Sequence, residues 1–322
     1  MDAQLGDAAA MVVLAILQLI VLVAVAPLLA GTIRRTKARL QGRRGVPLLQ
    51  PWLDLIKWWS KAPLNGGPAG IASRLAPPIA LGAMLIAALL VPFLAWRGPL
   101  NGWGDLLVVV GLFALARFAI ALAALDAGGA FGGMGASRDV AIAALAEPGL
   151  VFALVIAALA AGSTDLGAIS WFGLRAGIGL LTPAHLLGAA AFAVVAVAET
   201  GHYPVDNPDT HLELTMIHEG MLLEASGRPL AMLMLGAQLK VVILASLFAA
   251  VFFPFGAATE LTPAALAIGL VAGLIKLLLA GQALALLDAT LTKVRILSLP
   301  DLIGTASLLS LAGLGAHLLL AS

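Results

Sequence analysis

The chain contains eight apolar runs that are each long enough to cross a lipid bilayer, and this feature restricts the fold more than any other. A helix needs about 20 apolar residues to span the hydrocarbon core. Only 11% of the residues are charged, against about 25% in a soluble domain. We therefore expect an all-α polytopic membrane protein, a single integral domain over 1–322, with about eight transmembrane helices. The runs lie at 8–31, 75–96, 105–125, 139–161, 183–200, 229–254, 263–287 and 299–320.

Segments rich in glycine and proline separate the runs, among them "DAGGAFGGMGAS" and "PFGAATELTP". Such segments are typical of breaks between helices. The first run follows acidic rather than basic residues and is too long for the apolar part of a signal peptide, so it is predicted to be a first span. The sequence shows no internal repeat and no separate soluble domain.

The basic residues are distributed unevenly between the two sides that eight spans would create. The loop 32–74 holds nine of them, and loops on the same side add Arg138, Arg228, Lys293 and Arg295. The opposite side holds only Arg97 and Arg175. Because basic loops stay in the cytoplasm, this asymmetry predicts that both termini face outward. The loops 32–74 and 201–228 then form a cytoplasmic surface on which another protein can dock.

The stretch "PLLQPWLDLIKWWSK" has the pattern of an amphipathic helix. Its apolar residues recur at three- and four-residue steps, whereas Asp54 and Lys57 fall on the other face. This pattern predicts a cytoplasmic helix lying on the membrane surface. The helix is either a plain anchor or one wall of a site for an amphiphilic ligand or a docked subunit. The apolar residues are Leu48, Leu49, Trp52, Leu53, Ile56 and Trp59.

The stretch "AETGHYPVDNPDTHLELTMIHEGMLLEASG" carries six of the seventeen acidic residues of the chain. Asparagine and proline at 207–208 can begin a helix, and Gly227 can end one. Glu213 and Glu224 are eleven residues apart, so they would lie within about 20° of each other on that helix. Asp209 precedes Glu213 by one turn. The pattern predicts a stripe of carboxylates.

Few residues of the kind that hold cofactors are present. The chain has no cysteine, so it cannot supply the thiolates of an iron–sulfur cluster, and electrons of any redox process must pass through another subunit. His211 and His218 are seven residues apart, not at the four-residue spacing of a helical metal site. We therefore expect no metal here and favour polar contacts to a partner. The sequence has no large cluster of basic residues of the kind that would bind nucleic acid.

Five ionisable residues fall inside the predicted spans, where charges are costly and usually mark ion paths or buried pairs. They could form structural ion pairs, or they could form a chain of groups that exchange protons. Proline at 148 frees a backbone carbonyl one turn before a buried glutamate, which favours local hydration. The five residues are Arg117, Glu147, Glu199, Lys240 and Lys276.

Three motifs together resemble a known family. In order, "RRGVPLLQPWLDLIKWW", "GASRDVAIAALAEPGL" and the long acidic stretch resemble subunit 1 of respiratory complex I. They are more similar still to the membrane anchor subunit of formate hydrogenlyase and other group 4 membrane-bound hydrogenases (hydrogenase-4 component C). The resemblance covers almost the whole chain. His202 stands where quinone-reducing members usually have arginine, and Ala225 where tyrosine is common, which favours the hydrogenase-type branch over quinone binding.

The resemblance implies a subunit that is not catalytic alone and that anchors an electron-transfer arm in the bacterial inner membrane. Its implied partners are an iron–sulfur small subunit, a hydrogenase-like large subunit that can carry nickel and iron, and antiporter-like membrane subunits, with lipid around them. The candidate docking residues are Trp52, Asp54, Lys57, His202 and Asp209. The candidate proton path comprises the carboxylates Glu147, Glu199, Asp206, Glu213 and Glu224 with the bases Arg117, Lys240 and Lys276.

Two other functions stay open at this point. An independent ion transporter or antiporter could use the same buried charges, but it would not need an acidic loop beside a tryptophan-rich helix. A quinone-binding subunit of respiratory NADH dehydrogenase would keep quinone as its ligand, and His202 speaks against it.

Overall fold

The computed structural model describes residues 2–64, 70–98, 100, 102–206, 217–292, 294 and 298–321, and all regular elements in this part of the chain are helices. A short 3₁₀ turn, Gly177–Leu180, follows the sixth helix. The α-helices are α1 (Asp2–Leu40), α2 (Gln50–Trp59), α3 (Ile71–Leu90), α4 (Leu106–Asp126), α5 (Ala130–Ala161), α6 (Leu166–Ala176), α7 (Pro183–Glu199), α8 (His218–Leu222), α9 (Gly227–Phe252), α10 (Pro263–Thr290) and α11 (Leu299–Ala321).

Seven of the described helices are long and apolar enough to cross a membrane, and the number rises to eight if one bent pair counts as a single span. The pair consists of α6 with its 3₁₀ turn and α7, which meet at 118°. α7 has 17 residues, about 25 Å at 1.5 Å per residue. The prediction of an all-α polytopic membrane protein is confirmed, and α6 forms an elbow at one end of the bundle.

Two predicted span boundaries are wrong. α1 continues nine residues past the predicted end at 31, to Leu40, so its last turns carry basic residues out of the apolar zone. α5 begins at Ala130 rather than at 139, because the glycine-rich segment before 139 is helical instead of broken. A β-carbon at Gly135 would lie 2.8 Å from the carbonyl oxygen of Ile217. The glycine therefore serves close packing rather than helix termination.

The amphipathic helix α2 lies where its pattern predicts, against α1 and α9. Pro51 and Leu55 are buried, and the Trp52 indole donates a hydrogen bond of 3.2 Å to the carbonyl oxygen of Ala24 on α1. Leu53, Ile56 and Trp59 are exposed, and Trp58 is half-buried. This face is available for lipid or for another subunit, as expected of an interfacial helix.

The bundle forms by the packing of α5, α7 and α11 against one another, of α3 against α4 and α9, and of α1 between α9 and α10. An aromatic group joins α7 to α9, with the Phe192 and Phe252 ring centroids 5.6 Å apart. At the other end of the bundle, the Asp126 carboxylate of α4 accepts hydrogen bonds from the Ser73 amide and hydroxyl. The carboxylate thereby satisfies a free amide in the first turn of α3.

The acidic stretch does not form the single helix predicted to end at Gly227. Its described part contains only α8, which ends at Leu222, and Gly227 begins α9 with a positive φ of 56°. Gly227 is thus the first residue of the next helix rather than the terminator of the previous one. Residues 207–216, with Asp209, His211 and Glu213, lie outside the described residues.

Candidate functional site

Arg117 of α4 is the centre of a network of ion pairs inside the bundle. One terminal nitrogen, Nη1, donates to Glu147 Oε1 on α5, and the other, Nη2, donates to Glu199 Oε2 at the end of α7. The remaining nitrogen, Nε, lies 3.6 Å from Asp139 Oδ2, also on α5. The planar fork of an arginine suits this role, because its donors point in fixed and separate directions. One cation thus holds carboxylates from two helices.

Lys240 of α9 adds a second cation to the same cluster. Its Nζ lies 2.7 Å from Glu199 Oε2, the same oxygen that Arg117 contacts. The Glu199 side chain is 2% exposed, whereas that of Glu147 is 35% exposed. Burying a carboxylate so fully requires paired charges and hydrogen bonds. The cluster therefore runs from a fully enclosed glutamate to one that reaches the side of the bundle.

His218, the first residue of α8, joins the cluster to the segment that follows α7. Its Nε2 lies 3.2 Å from Asp139 Oδ1, and its Nδ1 lies 3.4 Å from Asp206 Oδ2. A neutral imidazole can donate from only one of its nitrogens, while the imidazolium donates from both. A neutral ring can therefore donate to only one of the two carboxylates, whereas an imidazolium would donate to both. His218 is one third exposed, so protons from water can reach it.

A second polar contact fastens the same loop to α10. The Asp288 carboxylate accepts a hydrogen bond of 3.0 Å from the Tyr203 amide, and its other oxygen lies 2.9 Å from His202 Nδ1. Asp288 is buried, and the ammonium of Lys37 lies 5.1 Å from the centre of the Tyr203 ring. These contacts fix residues 202–203 between α1 and α10, next to the glutamate that ends α7.

A cavity of about 280 Å³ lies beside the cluster. Arg117, Asp139, Glu199, Lys240 and His218 line one part of it, and apolar side chains from α1, α3 and α4 line another. The buried Gln238 Oε1 at its wall has no hydrogen-bond partner among the described residues. A space with one apolar part and one polar part suits water or the head of an amphiphile.

Comparison with known proteins identifies the family. The family model described as NADH dehydrogenase matches residues 12–318. Hydrogenase-4 component C of Escherichia coli (strain K12) is 37% identical over 287 residues, which cover 89% of this chain and 90% of that protein. The chain belongs to the NADH dehydrogenase family, and it is similar to complex I subunit 1.

Further comparisons relate this member of the NADH dehydrogenase family to both branches and to a known fold. Formate hydrogenlyase subunit 4 of the same organism is 34% identical over 281 residues, 87% of this chain and 90% of the relative. An NADH-quinone oxidoreductase subunit from Allorhizobium ampelinum is 28% identical over 244 residues, 68% and 67% of the two chains. A chain of the membrane-bound sulfane sulfur reductase, an archaeal respiratory membrane complex, shares the fold, with a TM-score of 0.82, 24% identity and coverage of 95% and 99%.

In this NADH dehydrogenase family member, most of the predicted intramembrane charges come together. Glu147, Glu199, Arg117 and Lys240 form one connected cluster, and Asp206 joins it through His218. Lys276 does not join the cluster in the described part of the chain, because its Nζ donates a hydrogen bond of 2.7 Å to the carbonyl oxygen of Phe253.

The remaining predicted site residues are at the surface, turned inward or not described. Glu224 follows α8 and is exposed. One of its carboxylate oxygens packs against Gly129, where a β-carbon would lie 2.7 Å from that oxygen. Lys57 is exposed on α2, whereas Asp54 accepts from Gln50 at 2.9 Å and His202 turns inward to Asp288. Asp209 and Glu213 lie outside the described residues.

Three residues of the site were not predicted from the sequence: Asp139, His218 as a link, and Asp288. Asp139 was placed at the edge of a span because the preceding glycines were interpreted as a break. Asp288 was placed one residue beyond the predicted end of its span. In both cases an aspartate flanking an apolar run was the available signal. Among the residues that the structure describes, no group of three or more His, Cys, Asp or Glu side chains is arranged to hold a metal.

Proposed function

We propose that this chain is the membrane anchor subunit of a hydrogenase-type, complex I-like oxidoreductase. It docks an iron–sulfur subunit and a hydrogenase-like large subunit on its cytoplasmic face, and its buried carboxylates link electron transfer to proton translocation. Family membership and the similarity to hydrogenase-4 component C and formate hydrogenlyase subunit 4 support the first part. The connected charges around Arg117 support the second.

The observation that carries the coupling proposal is the continuity of the polar contacts from the loop into the bundle. Asp206 meets His218, His218 meets Asp139, and Asp139 meets the arginine that binds both glutamates. A proton that arrives at His218 changes the charge beside Asp139. At an effective dielectric of about 20, a unit charge 8 Å away changes an interaction by roughly 2 kcal/mol. That energy suffices to shift a proton between neighbouring carboxylates.

The partly exposed Glu147 gives this chain of groups a second end. Its side chain reaches the side of the bundle, while Pro148 follows it within the long helix α5. A proline in a helix leaves a carbonyl without its usual donor, and this favours a local water. We propose that protons leave here toward a neighbouring antiporter-like membrane subunit.

The docking surface follows from the positions of the polar and basic segments. The ends of α1, α4 and α7 and the start of α5 and α9 lie at the same end of the bundle as α2 and α8, because alternate spans run in opposite directions. This end carries most of the basic residues outside the spans. The positive-inside rule therefore supports a cytoplasmic location of this surface and termini on the outer side.

The cavity favours a second candidate, binding of a quinone-like amphiphile. Its polar wall and apolar wall suit a polar ring with an apolar tail. The unpartnered Gln238 Oε1 would accept a hydrogen bond from a quinol hydroxyl, so the residues present fit such a ligand. Bound quinone would exchange electrons with a partner cluster, while this chain would only hold and orient it.

A tagged pull-down in mild detergent tests the proposal. The purified sample is analysed for co-purifying subunits, iron, nickel and extractable quinone. We expect an iron–sulfur subunit and a hydrogenase-like large subunit with both metals. Iron without nickel would point to a related redox partner, and stoichiometric quinone would favour the second candidate. A metal-free chain that purifies alone and moves ions in liposomes would contradict the anchor function and establish a transporter.

A further inference from the structure

Two arginine–tryptophan pairs meet at the end of the bundle that carries the α6 elbow. The ring centroids of Trp96 and Trp171 are 4.7 Å apart. The guanidinium carbon of Arg97 lies 4.9 Å from the centre of the Trp96 ring, and that of Arg175 lies 4.7 Å from the centre of the Trp171 ring. A guanidinium over an indole keeps its N–H donors available for an anion. Each ring of the pair thus holds one cation.

Several backbone contacts hold this group in place. The Trp96 indole donates a hydrogen bond of 3.2 Å to the carbonyl oxygen of Thr259, and Ala95 pairs with Ala258 in a short bridge. Trp171 is part of α6, where the adjacent Ser170 is buried. Trp96 thus belongs to the connection between α3 and α4, whereas Trp171 belongs to α6. Backbone contacts hold the Trp96 segment in place beside the segment 258–259.

The two cations have no carboxylate within 4.0 Å in the described part of the chain. Nearby acids have other contacts: Asp165 accepts from the Ala168 amide at 2.8 Å, and Asp105 accepts from the Leu107 amide at 2.7 Å. Glu260, one of the described residues, is exposed on the loop beside Thr259 and forms no ion pair with either arginine. The group is thus a local positive site on the side of the protein that has few basic residues.

The surroundings of the group are apolar and exposed. Phe172 on α6 is 38% exposed, and Ile178 in the following turn is 86% exposed. Tryptophan and arginine concentrate at the height of the lipid headgroups, where a ring can remain in an apolar layer while a cation meets phosphate. A soluble anion would not need this apolar border, whereas a phospholipid would use both parts.

We propose that Arg97 and Arg175 bind the headgroup phosphate of anionic phospholipid at this end of the bundle, with the acyl chains against Phe172 and Ile178. The two tryptophans orient the guanidinium groups toward the phosphate by stacking. The assignment of this lipid to the outer leaflet rests on the orientation given under Proposed function, whereas the binding itself does not. The site would anchor the elbow between α5 and α7, the two helices that carry Glu147 and Glu199.

Native mass spectrometry of the purified complex tests the site by titration with dioleoyl phosphatidylglycerol or dioleoyl phosphatidylcholine. The unsubstituted complex is expected to retain the anionic lipid with about tenfold preference, since each arginine near a surface strengthens anion binding severalfold. The double variant R97Q/R175Q should lose this preference, and Arg175→Gln alone should lose part of it. The control R43Q/R44Q removes two exposed cations from the opposite end and should retain it.

Three results would overturn the proposal. Equal retention of the two lipids by the unsubstituted complex would remove the anionic selectivity, and full selectivity in R97Q/R175Q would place the site elsewhere. Displacement of the lipid by millimolar inorganic phosphate would indicate a site for free phosphate. Iron and co-purifying subunits measured in the same samples report separately on the anchor function, so failure of one idea does not resemble failure of the other.

Discussion

Two cations inside the bundle, Arg117 and Lys276, are stabilised in opposite ways. Arg117 binds two glutamates and lies near Asp139, so its charge is balanced by side chains from other helices. Lys276 donates to one backbone carbonyl beside a cavity of about 20 Å³. The wall of this cavity includes the buried Ser246 hydroxyl, which has no hydrogen-bond partner among the described residues. That volume holds about one water. Arg117 thus belongs to a network in which each charge depends on the others. Lys276 forms no ion pair with the described residues.

Removing the central cation should give the largest effect. In Arg117→Met, the carboxylates of Glu199 and Glu147 lose their common donor, and breaking such buried pairs costs about 3–5 kcal/mol. The free energy of unfolding is measured by denaturant titration in mixed micelles. Arg117→Lys serves as the control, because it keeps the charge but loses the forked set of donors. Its free energy of unfolding should lie between those of the unsubstituted protein and Arg117→Met. An unchanged free energy in Arg117→Met would show that the network does not stabilise the fold.

Neutralising the enclosed glutamate should remove coupling without removing assembly. Glu199→Gln keeps the size of the side chain, but its amide cannot exchange a proton or balance both Arg117 and Lys240. We expect proton translocation by the reconstituted complex to fall at least tenfold, with partner subunits still co-purifying. Glu260→Gln, an exposed acid far along the chain from the network, is the matched control. If the complex dissociated in Glu199→Gln, the glutamate would be structural instead.

The loop contact to α10 should give a smaller effect. Asp288→Asn keeps one acceptor for the Tyr203 amide but removes the negative charge opposite His202. Hydrogen bonds to charged groups contribute about 1.5–3 kcal/mol, so stability should fall by roughly that amount. Hydrogen exchange at residues 202–206 should become faster, while exchange in α4 stays as it was. Faster exchange throughout the bundle would mean that Asp288 stabilises the whole fold.

Substitution of Lys276, which lies apart from the network, should give the smallest effect. Lys276→Met loses a single hydrogen bond to the Phe253 carbonyl oxygen, and one such bond contributes about 1 kcal/mol. Proton translocation should equal that of the unsubstituted complex, because no described contact joins Lys276 to the network. A loss of translocation comparable to that of Glu199→Gln would return Lys276 to the proton path.

The transmembrane architecture could be predicted because length and apolarity are local properties of a sequence. The eight runs, the interfacial helix α2 and the presence of buried ionisable residues all follow from such local patterns. Pairings could not be derived in this way, since Arg117 meets Glu199 across 82 positions of the chain. Only the three-dimensional packing of α4 and α7 against the same helix, α5, brings these side chains together.

Glycine explains why one part of the site was missed. From sequence alone, a glycine that breaks a helix and one that lets two backbones approach have the same signal. The segment before Asp139 was interpreted as a break, so this aspartate was placed at the very start of its membrane-spanning helix. In the structure those glycines face α4 and α8, and Asp139 lies more than two turns inside α5.

The close contact at Gly135 also ties the position of α5 to that of the segment 217–218. No β-carbon fits between α5 and the backbone at Ile217, and a β-carbon at Gly201 would lie 2.8 Å from the His218 ring. Residues 217–218 are therefore closely packed on both sides, against Gly135 of α5 and against Gly201. In the complex proposed above, a subunit that docks on this segment would therefore bear directly on α5, the helix that carries both Asp139 and Glu147.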